Sequence, residues 1–163
     1  MNNSHNGLRS AAVIALCGLF AVLAMGLALL SSGVYRAAAG AADENFHRRT
    51  ALSYLVNQVR RADEDGCVAV GTFGGSDALA LTEHIGGSDY VTYLYCWDGA
   101  LRELYQEAGT GLLPGDGVPI LELEGLDIGS DGGVLTLTVT APGGETAAVS
   151  LSPRCGFEKV GAL

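Results

Sequence analysis

The hydrophobic pattern changes character twice along the chain. Residues 11–30, AAVIALCGLFAVLAMGLALL, are apolar without a break and carry no charge. Twenty residues of helix rise about 30 Å, the thickness of a bilayer's hydrocarbon core, so this stretch is predicted to span a membrane. From Ala37 onward a helical period takes over. Leu52, Leu55, Val56 and Val59 recur at i, i+3, i+4 and i+7 as one apolar stripe. Arg48, Arg49, Asn57, Arg60 and Arg61 lie mostly off it, and His47 is expected on the solvated face. Gly66, after Asp63-Glu64-Asp65, is the expected stop. No proline precedes Pro114. One helix is therefore expected from about Leu8 to Ala62, on the order of 80 Å long, with Gly33 and Gly40 as places for a kink.

After Gly66 the period becomes two. Strands are predicted at 67–73, 78–85, 90–97, 100–107, 118–128, 133–141 and 146–154, with the last closing the sheet. Gly74-Gly75-Ser76-Asp77 and Gly86-Gly87-Ser88-Asp89 are expected turns, and Pro142-Gly143-Gly144 is another. Asp98-Gly99 between YVTYLYCW and ALRELYQE is a strong hairpin signal, because both central residues tolerate positive φ. Val91, Tyr93, Tyr95 and Trp97 then share one face and Tyr90, Thr92, Leu94 and Cys96 the other. Cross-strand aromatic pairing accounts for the tyrosines without a ligand. Short turns between such strands make an antiparallel meander. The fold class is α+β, a long N-terminal transmembrane and amphipathic helix packed on an antiparallel β-sheet. The divisions are a short flank or leader at 1–10, the span at 11–30, its amphipathic continuation at 31–65 and the sheet domain at 66–163.

Charge sharpens this division. The net charge is −9. Residues 31–65 balance five arginines against five acids, whereas 66–163 set three bases (Arg102, Arg154, Lys159) against thirteen acids. A base-poor, acidic domain repels phosphate backbones, so nucleic acid is not an expected partner. The lipid bilayer is. Arg9 and Arg36 flank the span weakly. The short N-terminus places it inside, giving a single-pass protein of the cell membrane with an extracellular domain. The competing reading is a secretory signal: YRAAAGAAD offers small residues for cleavage near Ala39–Ala42, but the apolar run exceeds the usual signal core.

Candidate chemistry is sparse. His5, His47 and His84 are scattered, and Glu83 and His84, as strand neighbours, point to opposite faces. No metalloprotease, nucleophile-elbow, phosphate-loop or dinucleotide motif occurs. Asp116, Asp127 and Asp131 lie in or near glycine-rich loops but not at EF-hand spacing, and read as solvated turn acids. No catalytic residue, metal, cofactor or small-molecule substrate is inferred, and an enzyme is not expected. Cys17 belongs to the apolar run. Cys67, Cys96 and Cys155 form no CxxC pair, which leaves open one disulfide between any two of them or three separate thiols.

Two stretches point to a family. ALSYLVNQVRRAD resembles the helix end of minor pseudopilins, and YVTYLYCWDGALRELY resembles their tyrosine-rich hairpin. Residues 50–154 resemble an uncharacterised domain-of-unknown-function family of Gram-positive bacteria with the plan of type IV pilins and type II secretion pseudopilins. The resemblance implies a pilin-like fold and a membrane-anchored structural subunit of a pilus or secretion pseudopilus, partnered by other pilin-like subunits. Small residues such as Ala24 and Ala28 would serve helix packing in lipid. It also implies processing after a glycine before the span, for which Gly7 is the candidate. Ala12 stands where the class usually carries a glutamate, which argues against a major, self-repeating subunit. A static membrane-tethered binding module and a secreted, cleaved domain are the alternatives.

Overall fold

The computed structural model describes residues 3–63 and 67–163, and within the first 45 residues the side chains of Arg9 and 12–29 alone. Helix α1 covers Asn3–Arg61. The chain divides into two units, Met1–Ala42 and Asp43–Leu163. The surroundings of Gly7, Gly33, Gly40 and the Ala39–Ala42 stretch lie outside the described residues, as does the expected stop at Glu64–Gly66. The first unit is helix throughout its described length. It contains one stretch, Ala12–Leu29, long and apolar enough to cross a membrane, with a mean hydropathy of 2.6.

The second unit opens with the last turns of α1. Ala51, Leu55 and Val59 are fully buried, and Leu52 and Tyr54 pack beside them. The stripe is thus turned slightly from the expected one: Ala51 takes its centre, while Leu52 and Val56 are half-buried. An alanine suits the centre because its small side chain lets a helix approach the strands closely.

Among the described residues nine strands follow: β1 (Val68–Phe73), β2 (Ser76–Ile85), β3 (Ser88–Trp97), β4 (Ala100–Glu107), β5 (Val118–Glu122), β6 (Gly125–Asp131), β7 (Val134–Thr140), β8 (Thr146–Leu151) and β9 (Glu158–Ala162). They form two sheets, not one: β5-β4-β3-β2-β1-β9 and β6-β7-β8. The run 118–128, expected as a single strand, breaks at Leu123-Glu124, and its halves join different sheets. The expected last strand closes the three-stranded sheet rather than the large one. The chain then returns with β9, which lies parallel to β1 and was not foreseen. Every other pairing is antiparallel.

The main core lies among α1 and both sheets. Val68, Val70, Leu79, Leu81, Leu94 and Leu101 face it from the large sheet, and Leu126, Leu135, Leu137 and Val139 from the small one. Three polar pegs add direction to the apolar contact. Arg48 Nη1 donates to Glu145 Oε2 at 2.6 Å, Tyr54 donates to Glu103, and Asp63 accepts from the N–H groups of Arg154 and Cys155 at 2.9 and 3.0 Å. Each peg reaches a different element, so the helix end is fixed against rotation as well as translation.

The opposite face of the large sheet has its own smaller core of Phe73, Ala78, Tyr95 and Leu104. Here the cover is the loop 108–117. The Tyr95 hydroxyl donates to Pro114 O at 2.7 Å. Arg102 Nη1 donates to Gly117 O at 2.8 Å and Gly115 O at 3.3 Å, and buried Gln106 accepts from Leu112 N at 3.1 Å. The Asp98-Gly99 hairpin forms as read, with φ of 51° and 70°. The two expected four-residue glycine turns contract to Gly74-Gly75 and Gly86-Gly87, because both glycines of each pair take positive φ and the following Ser-Asp already pairs in a strand.

Candidate functional site

The apolar span is the first functional feature. None of Ala12–Leu29 is buried inside the structure, and Ile14, Phe20 and Leu29 are each exposed by 70% or more. An apolar surface of that length needs a non-aqueous cover, and its eighteen residues rise about 27 Å, close to a bilayer core.

The second feature is an acidic cleft of about 440 Å³. Asp77, Asp98, Glu124 and Asp127 line it, with Cys96 and Trp97 at its wall. The β1–β2 and β3–β4 turns fall at the same end of the meander, which brings Asp77 and Asp98 together, and the crossing into β6 adds Glu124 and Asp127. Asp77 is committed to structure, since it accepts from Ile128 N at 2.8 Å. Alternate turns of a meander share an end, so the first pair was legible in the sequence. The second pair was not, because the strand break at 123–124 hid it.

Cys96, at the wall of the cleft, is not an activated thiol. Cys96 Sγ donates to Leu123 O at 3.1 Å, and burial pushes its thiol pKa up, which suppresses the thiolate. Among the described residues no three His, Cys, Asp or Glu side chains converge as a metal set. Asp127 lines this cleft, Asp131 ends β6, and Asp116 closes its own turn by accepting from Leu113 N at 2.7 Å.

Cys67, Cys96 and Cys155 occupy different surroundings in the second unit. Cys67 is buried before β1 and Cys96 is buried on β3. They lie two strands apart and several residues out of register, on the order of 20 Å, beyond the reach of a disulfide. Cys155 is exposed. Cys17 is exposed on the span.

Of the histidines, His84 pairs with Asp89 across an exposed hairpin end. His47 departs from expectation: it is half-buried, and its Nδ1 is closed off from solvent with no hydrogen-bond partner. The neighbouring Arg48 reaches the β7–β8 hairpin through Glu145 and Thr146 O, so this side of the helix faces protein, not water.

Two groups at the helix end have shifted titration. Burial, then the Glu103 carboxylate, raise the Tyr54 phenol, keeping it a donor. The backbone N–H groups of Arg154 and Cys155 lower the Asp63 carboxyl.

Residues 46–142 match the model of a family described as Domain of unknown function (DUF4860). The match starts at the sheet-packing part of α1 and ends after β7, so the span, β8 and β9 fall outside it. No curated protein and no solved structure matches the chain.

Proposed function

The chain belongs to the DUF4860 family, and from that premise we propose that it is a membrane-anchored structural subunit of a pilin-like assembly, a type IV pilus or secretion pseudopilus. One observation carries the reading: a single helix holds an apolar, unburied span at Ala12–Leu29 and, further on, the stripe Ala51-Leu55-Val59 that completes the core of an antiparallel domain. The order of span, amphipathic continuation and sheet is the plan of pilins and pseudopilins. The acidic, base-poor domain suits an extracellular location and disfavours nucleic acid. Its partners are the bilayer and other subunits with apolar helices.

Ala12 favours a second reading, a static tether with no filament role. A repeating subunit uses a carboxylate near that point to neutralise a neighbour's amino terminus in lipid, where an unpaired charge is costly. The mature N-terminus in host membranes, read together with in-membrane cross-linking, separates these. A chain starting at Leu8 and cross-linked to other apolar-helix subunits is expected. A full-length chain that never cross-links makes it a static tether. A start near residues 40–43 in the medium removes the anchor altogether.

A further inference from the structure

We propose that the open edge of β4 beside Tyr105 is a docking site for an extended, basic segment of a partner protein. The inference is independent of how the chain is held at a membrane.

Strand alternation defines the edge. The tight turn at Asp98-Gly99 makes Trp97 and Ala100 a hydrogen-bonded pair, and Ala108 N donates to Asp89 O at 2.8 Å at the other end. Between these limits Arg102, Leu104 and Gln106 exchange bonds with β3, while Leu101, Glu103 and Tyr105 aim their N–H and C=O groups away from it. β5 meets Leu101 with Leu121 and Glu103 with Val118. It does not reach Tyr105. Arg102 and Tyr95 hold the carbonyls of Gly115, Gly117 and Pro114, which draws the preceding chain to the other face of the sheet. Among the described residues, the outward N–H and C=O of Tyr105 therefore have no strand partner. The outer edge of β5 is different: Pro119 sits there without a donor, a common guard against strand addition.

The space beside Tyr105 is shaped for side chains. A groove of about 440 Å³ runs along it, lined by Leu104, Leu112, Val118 and Ile120. Val118 is 64% exposed and Tyr105 50%. Main-chain bonding at an edge with apolar pockets for alternate side chains is how extended peptides are recognised.

Charge selects the peptide. Glu103 and Asp116 line the same groove, each with one carboxylate oxygen already bonded, to the Tyr54 hydroxyl and the Leu113 N–H, and Glu107 follows on β4. Desolvation, then Glu83 and Tyr90, raise the Tyr105 phenol, so Glu83 lies within electrostatic reach. Arg102 shares the face of Leu104, and its guanidinium is occupied by the carbonyls of Trp97, Gly115 and Gly117. Tyr90 and Tyr105 stack with centroids 5.5 Å apart, presenting a π-face to a cation. A segment alternating apolar and basic residues satisfies the edge, the groove and the carboxylates together.

The test uses the full chain in detergent micelles and three short synthetic peptides: alternating Val and Lys, alternating Val and Glu, and the Val/Lys peptide N-methylated throughout. Amide hydrogen exchange at Tyr105 is the readout. The Val/Lys peptide is expected to slow it by about tenfold or more at saturation, and Ile120→Ser to weaken that binding several-fold while leaving the β3–β4 amide shifts in place. The other two peptides are expected to leave Tyr105 unchanged. No slowing by the Val/Lys peptide overturns the site. Equal slowing by the Val/Glu peptide overturns the charge selection, and equal binding of the N-methylated peptide overturns strand addition. Shifts confined to Asp77 and Asp98 would move the basic partner to the acidic cleft and sink the proposal.

Discussion

Cys96 and Cys155 differ in what surrounds their sulfur atoms. Cys96 is enclosed in the core, donates to Leu123 O and has its pKa raised by burial. Cys155 sits exposed on the turn that Asp63 holds. Alkylation needs both access and thiolate. Iodoacetamide at neutral pH is therefore expected to modify Cys155 at least on the order of 100-fold faster than Cys96 in the folded chain, since Cys96 reacts only through opening of the core. Peptide mass spectrometry over time reads the two rates, and equal rates would show that the sulfur of Cys96 is not enclosed. Nothing in the sequence could have ranked them. The spacing of Cys67, Cys96 and Cys155 left pairing open, because strand register sets the distance between sulfur atoms, not separation along the chain. His47 was misjudged for a related reason: helical periodicity located the sheet-facing stripe but not the β7–β8 hairpin that closes over the helix flank.

At the level of elements, legibility followed how local the cause is. The Asp98-Gly99 hairpin was readable because its requirement, positive φ at two adjacent residues, is met within the dipeptide. The break between β5 and β6 was not, since Leu121 and Leu123 continue the alternation straight across the sheet boundary. Nor was β9, whose parallel partner is roughly ninety residues away. The glycine-rich loop 108–117 covers the second core through bonds that its sequence does not announce. Gly117 is its tightest point: a Cβ there would lie 2.2 Å from the Tyr95 hydroxyl oxygen. Gly117→Ala is thus expected to expel that hydroxyl from its bond to Pro114 O and to destabilise the domain by about 1–3 kcal/mol. Gly115→Ala, where a Cβ meets open space, is the control and should cost little. Thermal unfolding in detergent compares them, and equal loss in the two variants would mean that the loop does not seat Tyr95.

For the molecule as a whole, one helix carries two kinds of apolar surface. The side chains of Ala12–Leu29 are unburied and uncharged, whereas Ala51, Leu55 and Val59 are lost from solvent entirely. The change of period that separates these parts was visible in the sequence, because the cause in each case is the medium that the side chains meet. Their energetics are correspondingly separable. A charge at the centre of a span costs about 2.5–3.5 kcal/mol on insertion scales, and Leu23 is one of the exposed apolar residues of Ala12–Leu29. Leu55→Ala removes a fully buried side chain and is expected to cost about 2–5 kcal/mol. Leu23→Lys should therefore reduce the membrane-bound fraction while leaving the unfolding temperature of the domain unchanged. Leu55→Ala should lower that temperature and leave membrane retention intact. Fractionation and thermal unfolding of both variants read the two properties side by side. If Leu23→Lys stays fully in the membrane, the span is not what holds the chain there. If it unfolds the domain, the two parts of α1 are coupled, and the anchor becomes part of the fold.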